Sequence, residues 1–392
     1  MNYEKFLNKN LVQIKPSGIR KFFAIAQEME NVISLGVGEP DFLTPLHIRQ
    51  VGIETLEKGS TRYTANSGLT ELREEIARYY SRKYSVEYDS KTEVLVTVGG
   101  SEAIDMAIRT IISKDDEVLV VEPSFVCYKP IIEMCNGVPV PLTTTADNNF
   151  KLTAQAIKNE ITSNTKAIIL PYPNNPTGAI MTKEELEDIA KVIIDNDLFV
   201  ISDEIYSELT YNNSGHTSIA SIDGMRERTV VINGFSKAYS MTGWRLGYAL
   251  GPEPVIKQMT KLHQFAIMSA PTTSQYAAIE ALKHGDDDVA DMVKDYNERR
   301  KFTVNAFREI GLDCVEPEGA FYVFPSIKST GLSSEEFCHK LINSKRVAVV
   351  PGNAFGECGE GYIRISYCYS KDDIKLAVDR IGEFIKELKN EG

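Results

Sequence analysis

Three short apolar runs, Lys166-Ala-Ile-Ile-Leu170, Leu198-Phe-Val-Ile-Ser202 and Thr229-Val-Val-Ile-Asn233, each stop at a loop that carries polar side chains. Their length and β-branched content suit buried strands. Between the first two lies Lys183 to Asp195, where Leu186, Ile189, Val192 and Ile193 recur at helical spacing. A strand that returns to its sheet through such a helix runs parallel to the one before. The alternation therefore predicts an α/β fold with a mostly parallel, doubly wound sheet, in which groups at the ends of successive strands converge.

Two units upstream extend the pattern. Glu93-Val-Leu-Val-Thr97 leads through Gly99 and Gly100 into a helix opened by Ser101 and Glu102, whose free N–H groups and dipole suit a phosphate. Glu117-Val-Leu-Val-Val121 ends in Glu-Pro-Ser-Phe125, and an aromatic there can stack on a flat heteroaromatic ring. A plain strand-to-helix turn and a core-filling phenylalanine are the ordinary alternatives.

The chemistry centres on Asn233-Gly-Phe-Ser-Lys-Ala-Tyr-Ser-Met-Thr-Gly-Trp-Arg245. A Ser-Lys pair alone is most often an exposed turn. A lysine partly desolvated near other cations, however, loses its proton readily and attacks aldehydes. Lys237 has Arg245 eight residues on, and an arginine can hold a phosphate bidentately. Asp203 ends the second apolar run, where a carboxylate can keep a pyridinium nitrogen protonated, and Tyr206 follows with a phenol. Pro171-Tyr-Pro-Asn-Asn-Pro-Thr-Gly178 fixes the amides of Asn174 and Asn175 with little freedom. An aldehyde-reactive amine, a phosphate-binding arginine and an anion for a ring nitrogen together point to pyridoxal phosphate.

Other readings of these stretches fail. Gly234-Phe-Ser-Lys-Ala238 lacks the second glycine of a nucleophile elbow, and the side chains of adjacent Ser236 and Lys237 diverge. Gly36-Val-Gly-Glu-Pro-Asp41 has a dinucleotide-like glycine pattern, but Pro40 and Pro45 stand where the phosphate-binding helix should begin. It is instead a loop whose glycines let backbone approach a ligand.

In this order and at these spacings, PNNPTG, SDEIY and SKAYSMTGWR resemble the fold-type I aminotransferases of the aspartate/aromatic class, from about Ile33 to the C-terminal region. The resemblance implies that Lys237 carries the cofactor and shuttles the proton, and that Asp203 pairs with the pyridine nitrogen. Tyr206 and Asn175 would bond the ring oxygen, and Phe125 would stack on the ring. Gly100, Ser101, Glu102, Ser236 and Arg245 would hold the phosphate. Arg364, in Gly361-Tyr-Ile-Arg-Ile-Ser366, would grip the substrate α-carboxylate, faced by the Gly38 amide. Tyr63 would reach the neighbouring subunit's phosphate across a homodimer whose active sites are shared. Transamination of an L-amino acid with a 2-oxo acid follows, with glutamate and 2-oxoglutarate as one couple. The stretches SKAYSMTGWRLG and PEGAFYVFP resemble more closely the branches with aromatic or broad neutral specificity. Aspartate would need a second cation, for which Arg20, Lys15 or a partner residue could serve. A C–S β-lyase of the same fold would use the same lysine and aspartate.

A chain of 392 residues is long enough for two lobes. The resemblance and the pattern place a large cofactor-binding domain at 46–288, and a small one formed by 1–45 and 289–392. Short strands near 320–324, 347–350 and 362–367 belong to the latter. So does a terminal helix capped at Ser370, with Ile374, Val378, Ile381, Ile385 and Leu388 as its apolar stripe. Gly18 to Met29 has helical spacing with Ser17 as its cap. A net charge of −12 disfavours nucleic acid and anionic membrane as partners. No apolar run is long enough to span a bilayer, and the N-terminus lacks a secretory core, so a cytoplasmic location is expected. Six cysteines without a CxxC pair suggest reduced, mostly buried thiols and no metal site.

Overall fold

The computed structural model describes residues 1, 3–16, 18, 29–212 and 214–391. The expected helix at 18–29, its Ser17 cap and Arg20 lie outside the described residues apart from Gly18 and Met29. β1 (Ile33–Ser34) comes first, and the main sheet follows. Its strands are β2 (Val94–Thr97), β3 (Glu117–Glu122), β4 (Val138–Thr143), β5 (Thr165–Leu170), β6 (Phe199–Asp203), β7 (Thr229–Gly234) and β8 (Gly247–Leu250). Among the described residues their spatial order is β2-β8-β7-β6-β5-β3-β4. The five strands from β7 to β4 run parallel, as the strand–helix alternation predicts. β8 is antiparallel to both β7 and β2. Only the short segment containing Lys237 joins β7 to β8, with a single 3-10 turn at Thr242–Trp244. Without a crossover helix, the chain returns in the opposite sense.

The two faces of the sheet separate at single-residue spacing. Along β3, Leu119 and Val121 pack into a core shared with Ile168, Leu186, Ile189 and Ile193. Val118 and Val120 turn the other way, against Ile104, Ala107 and Ile108 of the helix Gly99–Ile111. Each such buried aliphatic side chain contributes roughly 1.5–3 kcal/mol, and a one-residue slip would exchange the faces. β4 was not apparent in the sequence because it contains Pro139 and Pro141. Prolines are tolerated there because β4 lies at the edge of the sheet.

The helix Lys183–Asp195 forms as expected, with Thr182 and Glu185 in a capping box. Beyond the sheet, the helices Glu253–Ala266 and Thr272–His284 precede a long helix, Asp286–Glu309. Asp286, Asp287 and Asp288 occupy its first turn, where acids favour the helix dipole. β9 (Tyr322–Val323), β10 (Val347–Ala348), β11 (Val350–Pro351) and β12 (Ile363–Ser366) follow. β11, β12 and β9 make an antiparallel sheet, and β10 pairs in parallel with β1. The terminal helix Lys371–Glu391 starts after Ser370, whose hydroxyl accepts from Asp373 N–H at 3.1 Å, and buries Ile374, Val378, Ile381 and Ile385. Among the described residues no helix is long and apolar enough to cross a membrane.

Candidate active site

The loops leaving β5, β6 and β7 meet the amino end of the helix Gly99–Ile111 around a cavity of about 290 Å³. Lys237 lines it together with Asp203 at the end of β6, Tyr206 three residues on, Asn175 after β5, and Arg364 on β12. Gly38, Gly100, Ser101, Phe125, Ser236 and Arg245, also expected at the site, line this cavity too. Two expected residues do not line it. The Glu102 carboxylate turns onto Val98 N–H and His263, and Tyr63 stands 82% exposed.

Local backbone explains the approach of Arg245 to the helix end. Gly99 has φ +76°, a conformation that L side chains rarely adopt, and a Cβ there would lie 2.6 Å from Arg245 Nη2 and push the guanidinium away, so glycine lets the turn and the arginine come together. Arg245 itself adopts φ +51°, a left-handed conformation that L-residues seldom hold away from functional or tightly constrained sites. Its Nη1 donates to Thr242 O at 3.0 Å. A Cβ on Gly38 would overlap the Tyr322 hydroxyl, which explains the glycine at that close approach.

The electrostatics follow from burial. Desolvation lowers the Lys237 amine to about 8, and Arg364 and Arg245 push the same way against Cys368 and Glu39. Nζ donates to Gly38 O at 2.7 Å and lies 5.6 Å from the Phe321 ring centre. Burial raises the Asp203 pKa, opposed by hydrogen bonds from Tyr128 O–H at 2.6 Å and Ile205 N–H at 3.2 Å. A cation brought against Asp203 would therefore relieve an unfavourable buried charge. The buried guanidinium of Arg364 donates to Asn175 Oδ1 at 3.0 Å and to Gly36 O, and lies over Tyr322 at 4.5 Å. Its Nε has no hydrogen-bond partner among the described residues.

One expectation follows directly from the amine. At pH 8 about half of Lys237 is neutral, against under roughly 1% of an ordinary lysine. Trapping of Lys237 in the cofactor-free protein by a small aldehyde should rise through a midpoint near pH 8. A midpoint above pH 10, measured by peptide mass mapping, would refute the desolvated amine.

The description "Aminotransferase class I and II" matches residues 30–381. The chain belongs to this family of aminotransferases. The Bacillus subtilis protein YugH, provisionally named an aminotransferase, is 51% identical over 380 residues, covering 97% of this chain and 98% of that one. The aspartate aminotransferase of Pyrococcus abyssi is 44% identical, covering 98% of this chain and 99% of its own. A crystal structure of an aromatic aminotransferase from Pyrococcus horikoshii superposes with a TM-score of 0.90 at 43% identity, over 95% of this chain and 99% of that one. Members of the family work with pyridoxal 5'-phosphate.

The aminotransferase cavity also contains side chains that the sequence motifs did not single out. Tyr128 stands three residues after Phe125 and reaches Asp203. Tyr322, within Gly319-Ala-Phe-Tyr-Val323, meets Tyr206 O–H at 2.8 Å. Tyr322 begins β9 inside the quoted stretch PEGAFYVFP and Tyr128 follows Phe125 by three residues, but only the folded chain shows that both side chains reach the cavity. The two asparagines also separate: Asn175 faces the cavity, whereas Asn174 is structural. Asn174 donates to Pro123 O at 3.2 Å and accepts from Thr177 O–H at 2.8 Å.

Proposed function

We propose that this aminotransferase carries pyridoxal 5'-phosphate on Lys237 and exchanges an amino group between an L-amino acid and a 2-oxo acid, with glutamate and 2-oxoglutarate as one couple. The observation that carries this reading is the meeting, in one cavity, of a desolvated amine, a buried carboxylate, and an arginine set against a helix amino end. The donor set suits the group chemically. Arg245, Ser236 and the N–H groups at Gly100 and Ser101 would hold its phosphate, Asp203 its ring nitrogen, and Tyr206 and Asn175 its ring oxygen. When bound, the cofactor supplies an aldehyde and a ring that takes up the electron pair left on the substrate α-carbon.

The protein residues then have distinct tasks. Lys237 Nζ, a substantial fraction of which is neutral near pH 8, would take the proton from the α-carbon and pass it to the carbon that was the cofactor's aldehyde. Asp203 stays anionic opposite the ring nitrogen. Arg364, with its Nε unpaired and its face on Tyr322, grips the α-carboxylate and orients the reacting bond. Because the two half-reactions use the same cavity in turn, the kinetics are ping-pong.

Aromatic or broad neutral specificity is supported by the cavity wall. Phe125, Tyr128, Tyr322, Ile104, Ile205, Pro171 and Pro173 line it. Its cations among the described residues are Lys237, Arg245 and Arg364, each with a task already. Among the described residues lining the cavity a distal carboxylate would find no further cation, and relatives bear both aromatic and aspartate names. Half-reaction kinetics of the holoenzyme should favour phenylalanine or tyrosine over aspartate by at least about tenfold in kcat/KM. Comparable values would overturn the preference.

Two further parts belong to this proposal. A homodimer with shared sites fits the exposed Tyr63, whose segment is tied to 268–272 by Thr272 O–H on Arg62 O at 2.7 Å and Asn66 on Met268 O at 2.8 Å. Apolar Leu43, Leu46 and Phe265 are exposed as well. A small domain of 1–45 and 289–392 beside a cofactor-binding 46–288 is supported by Leu35, which packs with Tyr296, Phe307, Phe337 and Ile381.

A further inference from the structure

Arg364 is 3% exposed, and burial lowers its pKa. The groups set against that are Tyr322, Tyr206, Tyr369 and Cys368, with no carboxylate among them. Its hydrogen bonds leave through Nη1 to Asn175 Oδ1 and through Nη2 to Gly36 O. Two bonds at the two Nη atoms leave rotation about the line joining them unopposed. Aromatic rings supply what is missing. The guanidinium carbon lies 4.5 Å from the centre of the Tyr322 ring and 4.9 Å from that of Phe355. Tyr322 is part of the cavity wall, whereas Phe355 is not.

Local structure brings Phe355 to the arginine. β11 pairs with β12 in antiparallel register, Val350 opposite Arg364, and the 3-10 turn Gly352–Phe355 follows at once. Gly352 N–H donates to Tyr362 O at 2.8 Å, which folds the turn back onto the segment leading into β12. A Cβ on Gly352 would overlap Gly359 O, so glycine permits that approach. At the far end of the turn, Phe355 O accepts Ser124 N–H at 2.9 Å, beside Phe125. The Phe355 ring is 3% exposed and packs with Leu170, Tyr172 and Phe324. Its place is therefore set by the small antiparallel sheet and by the loop after β3, with no ligand needed.

We propose that Phe355 is a positioning residue for the carboxylate grip: its ring, with that of Tyr322, holds the Arg364 guanidinium in the pose that meets the substrate α-carboxylate, while Phe355 itself touches no substrate. This rests on the reading that Arg364 binds that carboxylate. A desolvated guanidinium over an aromatic face is attracted strongly enough to favour one pose about tenfold over its alternatives. Without the face the free enzyme spreads over several poses, and apparent affinity falls by the fraction still competent. A ligand that lacks the negative charge does not register this change. Nor does the chemical step at saturation, because the substrate, once gripped, sits as before.

The test is calorimetric titration of the holoenzyme with 3-phenylpropionate and with its uncharged amide, 3-phenylpropanamide. The unaltered chain should favour the carboxylate, and Arg364→Lys should lose most of that preference. Phe355→Leu keeps an apolar side chain in the core but has no ring face, and should lower the carboxylate-to-amide affinity ratio about tenfold. Its KM for the amino donor should rise while kcat stays within about threefold. Phe355→Met, of similar volume, makes the same test where the leucine variant does not fold. Tyr322→Phe keeps its ring face and should keep the ratio. An unaltered ratio without the Phe355 ring would overturn the proposal. So would an equal loss of both ligands together with a lowered kcat, which marks a packing role. A drop in Tyr322→Phe as large as in Phe355→Leu would trace the hold to the hydroxyl and overturn the account of ring faces. If instead Arg364→Lys kept the unaltered ratio, the carboxylate grip itself would be misassigned and the proposal would fall with it.

Discussion

Replacing Lys237 with alanine should lower kcat by at least about 10⁴-fold while leaving the protein folded. Moving a proton with a positioned side chain contributes about 10²–10⁴ by itself, and loss of the covalent attachment adds to it. The fold does not depend on this amine, because it is desolvated and its described hydrogen bond is to Gly38 O. Thermal unfolding should therefore stay close to that of the unaltered chain or rise. A small primary amine added to Lys237→Ala should restore part of the proton transfer, since the cavity would have room where the side chain was. Steady-state turnover with and without the added amine checks both statements. Near-normal turnover by the alanine variant would remove the lysine from the mechanism.

Asp203→Asn should lower kcat about 10²–10⁴-fold with cofactor still bound. The change keeps size and, with the amide oxygen turned to Ile205 N–H, one acceptor, leaving the NH2 to donate to the Tyr128 hydroxyl, but it removes the charge. Truncating one partner of a buried charge pair costs about 2–5 kcal/mol, which sets the scale of the loss. The neighbouring Glu204 cannot substitute. Strand alternation sends its side chain to the opposite face, where it accepts from Ser202 O–H at 2.9 Å and Ser218 O–H at 2.8 Å. Single-turnover rates with a saturating amino acid separate this effect from weakened substrate binding. An unchanged rate would mean that Asp203 only supports packing.

The parts of this site that were legible in the sequence are those where a short motif and a strand end coincide. Asp203 and Lys237 each follow an apolar run whose strand character is local, so their meeting followed from parallel order. Arg364 needed the family resemblance, because β12 belongs to a separate small sheet. Side-chain direction was not legible. Asn174 and Asn175 have the same neighbours in sequence, and only the turn into Thr177 decides which one faces the cavity. Glu102 follows Ser101 at a helix start, but it turns to Val98 and His263, a partner 161 residues away. Tyr322 and Tyr128 lie in or beside stretches the sequence marked, but the directions their side chains take are set by packing. Likewise, the antiparallel return of β8 depends on how tightly the Lys237 segment folds, which composition does not show.

Borohydride reduction of the purified holoenzyme, followed by peptide mass mapping, tests the central claim most directly. A pyridoxyl group fixed on Lys237, with the protein's visible absorbance lost in the same step, is the expected result. A label on another lysine, or none on a protein that still transfers amino groups, would contradict it.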